Sequence, residues 1–239
     1  AYLQQELIAL SQRLDRPVSD ESLAASLSLY NRLRRAVQGL DGLRDRLSAA
    51  EAWAAIAAAW QMAPEAYVET AEALMHELRA ADRRPAHGPA LVLTGSLLDE
   101  PLIPEIIDEL GARVVGDDLC NGTRDVEVLA SEAGNPWAAL AERLLRRPPC
   151  PCKHTTGASS ASRVAGLAAR HGAHGVVQVL TKFCDPHAFD AVAIGQAVTA
   201  TGRAWLPLET DATNPPEALR TRLQAFIELL APEPTGGGP

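Results

Sequence analysis

The sequence predicts an α/β protein in which a helical amino-terminal segment precedes a small, mostly parallel sheet. Residues 1 to about 82 carry apolar residues at helical spacing throughout. Residues 83–89, which include Arg, Pro and Gly, break that pattern. Beyond them, short apolar runs alternate with helical stretches, and this alternation indicates right-handed βαβ crossovers between parallel strands. We therefore predict two units, a helical segment at residues 1–84 and an α/β domain at residues 85–231.

The helical segment is divided by residues that interrupt or start helices. Pro17 interrupts the first helix, and Ser19 or Asp20 can cap the second. Pro64 suits the first turn of a later helix. The apolar stripes are Leu3, Leu7, Leu10 and Leu14; Leu23, Leu27, Tyr30, Leu33 and Val37; Trp53, Ile56 and Trp60; and Tyr67, Ala71, Leu74 and Leu78. The last of these stripes predicts a buried helix face, and no motif here carries chemistry by itself.

The second unit contains four apolar runs that predict strands. They lie at residues 90–94, 112–115, 175–180 and 204–208, and the helices between and after them are predicted at 102–110, 136–147, 158–171, 188–200 and from Pro215 or Pro216 to Leu230. Pro207 demotes the last strand towards an edge position. Four strands predict a flavodoxin-like or Rossmann-like sheet with helices on both faces. The Pro/Gly-rich residues 232–239 are predicted to be disordered.

Composition limits the class of partner and compartment. Apolar residues make up 47% of the chain, enough for a substantial core, and the net charge of -8 argues against a nucleic-acid partner. No apolar run is long enough to cross a membrane, and the polar start is not a signal peptide, so we expect a cytoplasmic protein. Four cysteines without secretory marks favour a metal or redox use in a reducing compartment. Because the chain lacks an initiator Met, we expect a fragment or a processed chain.

Polar residues follow each predicted strand, and in a parallel sheet they share one edge. The four loops are residues 94–96 with Gly95 and Ser96, residues 117–120 with Asp118 and Cys120, residues 182–185 with Lys182 and Cys184, and residues 209–211 with Glu209 and Asp211. The carboxyl edge of an open α/β sheet is where ligands bind. The Gly95-Ser96 turn either offers backbone N–H groups to an anion or is simply a turn, and neither a dinucleotide fingerprint nor a P-loop occurs there.

The loop Thr181-Lys182-Phe183-Cys184-Asp185-Pro186 is the main candidate because it joins a buried strand to a helix. Two interpretations of its thiol stay open, a site at the edge of the sheet or a small buried hydrophobe. Glu209 and Asp211 are either paired carboxylates for acid/base chemistry or groups that compensate the dipole of the last helix. The second interpretation is favoured for that pair.

Three further sets of residues have alternative readings. Cys150, Cys152 and His154 carry ligand types suited to zinc or an iron cluster, and their flanking prolines are equally consistent with a rigid connection. We predict no zinc site, because three closely spaced ligands leave the fourth ligand unassigned. Arg143, Arg146 and Arg147 either meet the phosphates of a large anion or form a solvated helix end. His171 and His174 flank a turn and are predicted to be exposed. No Ser/His/Asp or Cys/His nucleophilic set is evident.

Five segments of the chain form an ordered series. They are Leu91-Val-Leu-Thr-Gly-Ser96; Gly111-Ala-Arg-Val-Val-Gly-Asp-Asp-Leu-Cys-Asn-Gly-Thr-Arg124; Val176 to Pro186; Leu208-Glu-Thr-Asp211; and Thr221-Arg-Leu-Gln-Ala-Phe-Ile-Glu228. This series resembles the 2-hydroxyacyl-CoA dehydratase and benzoyl-CoA reductase subunit family, and the run with Leu29-Tyr30-Asn31 and Arg34-Arg35 is similar to the family's middle segment. The resemblance extends from about Leu3 to Leu230, and five motifs in one order are more specific than any single motif.

The resemblance implies a two-domain α/β subunit that pairs with a homologous second subunit around 4Fe–4S clusters. An ATP-driven activator protein would donate the electron, and an acyl-CoA thioester would be dehydrated or have its ring reduced. In the family three cysteines hold the cluster of a subunit, and Cys184 matches the last of them. The other two lie in a domain that precedes the start of this chain, and Cys120, Cys150 and Cys152 do not replace them. The resemblance therefore implies the carboxyl-terminal part of a subunit.

The resemblance favours an enzyme subunit, either a dehydratase-like lyase or a reductase-like oxidoreductase, with Cys184 as a 4Fe–4S ligand. Under this reading Gly95, Ser96, Asp118, Cys120, Lys182, Glu209 and Asp211 would shape the cluster and substrate pocket. The alternative is a non-catalytic partner subunit, or a small-ligand-binding α/β module that uses the same fold without a cluster.

Overall fold

A computed structural model describes residues 1–14, 17–83, 87–148, 150, 157–211 and 216–231 of the chain. Pro85 within the predicted domain boundary, Cys152 and His154, and the tail at residues 232–239 lie outside the described residues. The helices are α1 (Tyr2–Ser11), α2 (Asp20–Asp41), α3 (Ala49–Ala57), α4 (Pro64–Ala80), α5 (Leu102–Glu109), α6 (Pro136–Arg146), α7 (Gly157–Arg170), α8 (Asp185–Thr199) and α9 (Pro216–Leu230). The strands are β1 (Ala90–Gly95), β2 (Arg113–Asp118), β3 (Gly175–Thr181) and β4 (Ala204–Thr210).

The amino-terminal helices begin where the sequence supplies capping groups. The Ser19 hydroxyl accepts a hydrogen bond from Ser22 N at 3.2 Å and caps α2. Ser48 and Glu51 form a capping box at the start of α3, and Pro64 occupies the first turn of α4 as expected. These helices bury a common apolar cluster that includes Leu33, Val37, Leu40, Ile56, Tyr67, Val68 and Leu78. The predicted helical amino-terminal part is thus confirmed.

The four strands form one sheet in the order β2-β1-β3-β4, and every neighbouring pair is parallel. This order matches the first four strands of the flavodoxin-like arrangement. In that arrangement β2 is added on one side of β1 and the later strands on the other side, so the switch point lies between β1 and β3. Pro207 lies in the edge strand β4, as predicted. The α/β class with a parallel sheet is therefore confirmed.

Helices cover both faces of the sheet because side chains alternate along each strand. Val177 and Val179 belong to a core with residues of α5 and α9 on one face. Val176 belongs to a second core with residues of α7 and α8 on the other face. Since β1 leads to β2 through α5, and β3 leads to β4 through α8, the two crossovers run in opposite directions on opposite faces, as right-handed connections require.

Two strands, β2 and β4, end two or more residues later than predicted, and α8 starts earlier. The structure continues β2 through Gly116, Asp117 and Asp118, and β4 through Glu209 and Thr210, where the sequence predicted loops. The α8 helix begins at Asp185 rather than near residue 188. The first difference has a physical cause, because buried arginines neutralise the two aspartates of β2 and so allow acidic residues inside a strand.

The helical part and the sheet are in direct contact. The backbone N–H groups of Ala49 and Ala50 at the start of α3 donate to the carboxylate of Asp108 in α5, at 2.7 and 2.9 Å. Arg44, which lies between α2 and α3, forms a buried ion pair with Asp117 of β2. The division into two domains near residue 85 stays a prediction.

Among the helices in the described ranges, none has both the length and the apolar character needed to cross a membrane.

Candidate site at the carboxyl edge of the sheet

The loops that follow the four strands meet at the carboxyl edge of the sheet, which we call the rim (residues 94–96, 117–124, 181–187 and 210–211). The Ser96 hydroxyl accepts a hydrogen bond from Thr181 N at 3.3 Å and joins the ends of β1 and β3. The Ser96 N–H donates to Val179 O at 2.9 Å, and its carbonyl accepts from Cys120 N at 3.4 Å. Lys182 N donates to Thr210 O at 2.8 Å and ties in β4. The rim is therefore one connected surface.

Gly95 is required at the end of β1 for a steric reason. Its φ is +121°, which side-chain-bearing residues rarely adopt, and a Cβ there would fall against the carbonyl group of Val179. The adjacent Ser96 N–H is already bonded to the same strand. Gly95 therefore allows β1 and β3 to approach closely at the rim.

Asp118 is the centre of a buried charge network. Its carboxylate accepts from Arg124 Nε and Nη2, both at 3.2 Å, and from Arg163 Nε at 2.8 Å. Arg163 also donates to both carboxylate oxygens of Glu127, at 2.7 and 2.8 Å. Burial by itself would lower the pKa of Arg163, but Glu127 and Asp118 outweigh it and raise that pKa. The network fixes the end of β2 against α7.

Arg124 joins this network to the neighbouring elements. It is buried, and besides Asp118 it donates to Gly95 O at 3.0 Å and to Cys120 Sγ at 3.3 Å. Its Nη1 lies 3.5 Å from His187 Nε2 in the first turn of α8. Although burial lowers the pKa of Arg124, the nearby charge of Asp118 raises it more. Arg124 is thus a permanently charged side chain that joins the ends of β1 and β2 across the rim.

Cys120 and His187 face each other beside Arg124. Cys120 Sγ lies 3.5 Å from His187 Nε2. Although Cys120 is exposed as a residue, desolvation of its sulfur raises the pKa of the thiol, the charge of Arg124 partly opposes that rise, and the sulfurs of Cys150 and Cys184 add to it. Burial and then Arg124 lower the pKa of His187 to about 4, against the smaller opposing effects of Asp118 and Asp190. At neutral pH the pair is an uncharged thiol beside an uncharged imidazole, whose Nδ1 is buried without a hydrogen-bond partner among the described residues.

Cys184 caps the start of α8. It is half-buried and not in a disulfide, and its carbonyl accepts from His187 N and Ala188 N, both at 3.1 Å. The preceding Phe183 has φ +67°, an uncommon value for a residue with a side chain, and its ring is 89% exposed. This turn brings the thiol to the rim. The two interpretations of the Cys184 thiol, a site at the edge of the sheet or a small packed hydrophobe, both stay predictions.

The remaining sequence candidates have separate structural partners. Lys182 Nζ lies 3.1 Å from an Asp211 carboxylate oxygen, so Asp211 is held by a lysine, and Glu209 lies on the exposed side of β4. Arg143 is buried and donates to Asp125, rather than forming a solvated helix end. Two other arginines pair with local acids, Arg146 with Glu142 and Arg147 with Asp125. His171 and His174 are exposed, as predicted.

The described residues do not by themselves assemble a metal centre. Within them, no group of three His, Cys, Asp or Glu side chains is placed to hold a metal ion. Cys150 is half-buried and not in a disulfide, whereas its predicted companions Cys152 and His154 lie outside the described part of the chain. The prediction that these three residues form no zinc site therefore stays a prediction.

Sequence reasoning missed the arginines that organise the rim and its edge. Arg44, Arg124 and Arg163 were not predicted as site residues, yet each pairs with an aspartate at the end of β2. His187 was predicted only as part of a loop before a helix. The adjacent pair Asp117 and Asp118 after an apolar run was the available signal, since two buried carboxylates in a strand require cationic partners.

The chain matches a known protein family. The family pattern described as "2-hydroxyglutaryl-CoA dehydratase, D-component" matches residues 1–230. The chain belongs to this family. The dehydratase resemblance inferred from the ordered motifs is thereby confirmed.

Three curated relatives share 25–27% of their residues with this D-component family member. They are the (R)-phenyllactyl-CoA dehydratase beta subunit of Clostridium sporogenes (26% over 218 residues, 89% of this chain and 58% of that protein), the lactoyl-CoA dehydratase subunit beta of Anaerotignum propionicum (27% over 220 residues, 89% and 59%), and the (R)-2-hydroxyglutaryl-CoA dehydratase subunit beta of Acidaminococcus fermentans (25% over 226 residues, 89% and 59%). The chain spans less than three fifths of the length of these relatives.

Proposed function

We propose that this chain is part of a subunit of a 2-hydroxyacyl-CoA dehydratase. The single observation that carries the proposal is membership of the 2-hydroxyglutaryl-CoA dehydratase D-component family over residues 1–230. Three relatives are beta subunits of dehydratases that act on different 2-hydroxyacyl-CoA thioesters. The proposed substrate is accordingly a 2-hydroxyacyl-CoA, and the proposed partner is a homologous second subunit. Benzoyl-CoA reduction is a related activity that no relative's name supports.

Cys184 is the residue proposed to hold a 4Fe–4S cluster. Its half-buried thiol stands at the rim, outside any disulfide, at the amino-terminal end of α8, where the helix dipole favours a negatively charged ligand atom. One thiolate cannot retain a cluster, and the described residues offer no group of three metal ligands. The proposal therefore requires thiolates from protein beyond the described residues. Cys184 fits as one ligand of a shared set.

A bound cluster would supply one low-potential electron to the thioester, delivered by an ATP-dependent activator protein. The chain's own residues hold the rim in place around that position. Arg124 fixes the ends of β1 and β2 and contacts Cys120. Ser96 fixes the end of β1 to that of β3. These contacts keep the loop that carries Cys184 in a defined place without any bound group.

The test is iron content in the full-length protein, purified without oxygen and together with its partner. Replacing Cys184 with Ala is expected to abolish the visible absorbance of the cluster of this subunit and the dehydratase activity. The fold is expected to persist, because the change removes one half-buried heavy atom and costs about 1 kcal/mol or less. Cys150→Ala is the matched control, since Cys150 is also a half-buried thiol outside any disulfide. It is expected to leave iron and activity unchanged.

Two outcomes would count against the proposal. Unchanged iron in the Cys184→Ala protein would reject Cys184 as a ligand. An assembled wild-type complex without iron in this subunit would instead favour a non-catalytic partner subunit, or a small-ligand-binding module, over the enzyme subunit.

A further inference from the structure

A groove on the helical part of the molecule is separate from the rim. It has a volume of about 270 Å³ and lies between α2, the residues just before α4, and the short 3-10 turn Thr123–Val126. Its walls include Tyr30, Arg34, Trp60, Met62, Asp125 and Val126. This volume approaches the lower end of the range for small-molecule sites, about 300 Å³.

Arg34 is a buried cation with little compensation. It is 9% exposed, yet its one side-chain hydrogen bond within the described residues goes to Asn31 Oδ1, at 3.3 Å. Asp125, an acid in the wall of the same groove, is already engaged, because its two carboxylate oxygens accept from Arg143 at 2.9 Å and from Arg147 at 3.1 Å. Arg34 thus takes part in no ion pair with any residue that the structure describes. Buried charges normally have such a partner.

The electrostatics agree with this geometry. Burial, and then the neighbouring charge of Arg143, lower the pKa of Arg34 to about 10, whereas Asp125 and Tyr30 oppose the shift only in part. Two guanidinium groups therefore bond the Asp125 carboxylate, and Arg34 is a third cation that this carboxylate compensates only in part. An anion in the groove would supply the missing counter-charge. A guanidinium is well suited to that role because it bonds phosphate and carboxylate in a planar, two-point geometry.

Aromatic surface lies beside this cation and is open to solvent. Tyr30 is 46% and Trp60 45% exposed, and Met62 adds an exposed thioether. Arg34 lies over the Tyr30 ring, at 5.7 Å from the ring centroid. Indole, phenol and thioether groups offer flat, polarizable surfaces on which a planar ring packs well. The groove combines a buried anion-binding group with an apolar platform.

We propose that this groove binds a planar aromatic ring that carries a phosphate or carboxylate group. The ring would pack against Trp60 and Tyr30, and the anionic group would pair with Arg34. Two kinds of molecule have this chemistry, a nucleotide and an aromatic acid. Binding in this groove depends neither on the proposed dehydratase activity nor on iron, so the groove can bind its ligand in a protein that lacks both.

The experiment titrates the full-length protein with AMP and with benzoate, using calorimetry and tryptophan fluorescence. Adenosine and benzyl alcohol serve as uncharged counterparts. At least one of the two anions is expected to bind at least tenfold more tightly than its counterpart, a difference of about 1.4 kcal/mol. Binding is also expected to quench fluorescence, and Trp60→Phe is expected to remove that quenching although the three other tryptophans of this chain remain. A response to AMP would identify a nucleotide site, and a response to benzoate an aromatic-acid site.

Matched variants separate charge from fold. Arg34→Gln is expected to weaken binding of the anion at least tenfold, whereas Arg32→Gln, which changes an exposed arginine of the same helix, is expected to leave it unchanged. If Arg34→Gln fails to fold, the comparison of each anion with its uncharged counterpart in the wild-type protein decides the question. Equal binding of charged and uncharged ligands would overturn the proposal. So would the absence of binding at 10 mM ligand, a Kd that corresponds to a binding free energy of about -2.7 kcal/mol.

Discussion

Replacing Arg44 with Met tests whether a buried ion pair joins the helical part to the sheet. The Arg44 and Asp117 side chains are each 6% exposed, and Arg44 Nη2 donates to Asp117 Oδ2. Arg44 Nε also donates to Asp41 Oδ1 at 2.5 Å. Burial by itself would lower the pKa of Arg44, but Asp117 and Asp41 raise it. The change would leave the Asp117 carboxylate buried without its cationic partner.

The expected cost follows from what Asp117 retains. Its Oδ1 still accepts from Thr123 N at 2.8 Å and from Leu119 N at 3.2 Å, whereas Oδ2 loses its arginine. Loss of one partner from a buried pair costs about 3–5 kcal/mol, and the retained bonds favour the lower end, about 3 kcal/mol. For a chain of this size, that corresponds to a fall in Tm of about 6–12 °C.

Urea unfolding followed by circular dichroism measures the effect. Arg35→Met is the control, because Arg35 forms an exposed ion pair with Glu132 and its loss is expected to cost less than about 1 kcal/mol. Combined with Asp117→Asn, the Arg44 change is expected to be non-additive by more than about 1 kcal/mol. A stability within about 1 kcal/mol of wild type for Arg44→Met would refute the reasoning.

Two further predictions concern the rim. Gly95→Ala is expected to lower the free energy of unfolding by more than about 2 kcal/mol, because it combines a strained φ with a clash against Val179. Gly111→Ala is the control, since Gly111 has φ +73° but open space around it, and it is expected to cost about 1 kcal/mol. Equal costs of the two changes in urea unfolding would contradict this prediction. Because the pKa of His187 falls from 6.5 to about 4 on folding, the unfolded chain binds the proton more readily, so stability is lost as pH falls from about 6.5 to 4. At pH 5 the loss is about 2 kcal/mol relative to pH 8, and a His187→Gln protein with the same pH dependence would disprove it.

The sequence was sufficient for the parts of the fold in which periodicity carries the information. The apolar run at residues 175–180 predicted a buried strand, and β3 is found at Gly175–Thr181 with Val176, Val177 and Val179 fully buried. Pro207 predicted an edge strand because proline cannot donate to a neighbour, and β4 lies at an edge. These features depend on local composition, which a single sequence displays directly.

The sequence was insufficient where a partner distant in the chain lowers the free-energy cost of burying a charged side chain. Asp117 and Asp118 indicated a loop because isolated carboxylates are unfavourable inside a strand. Arg44 lies 73 residues from Asp117, and Arg163 lies 45 residues from Asp118, so local periodicity does not reveal either pair. Helical spacing likewise did not show that Arg34 is buried in a groove. Burial of charge is a property of the tertiary structure.

The ion pairs that hold the rim in shape do not involve the proposed ligand atom, the Cys184 thiol. Arg124 and Arg163 neutralise Asp118, and Arg44 neutralises Asp117, so the acidic end of β2 is compensated by the protein itself. The thiol of Cys184 takes no part in these pairs and stands at the start of α8. Because the network does not rely on the thiol, the loop that carries Cys184 is held in position before any ligand arrives. Preorganisation of this kind lowers the ordering cost of binding. Because the thiol is not needed to hold the loop, we expect Cys184→Ala to retain the fold.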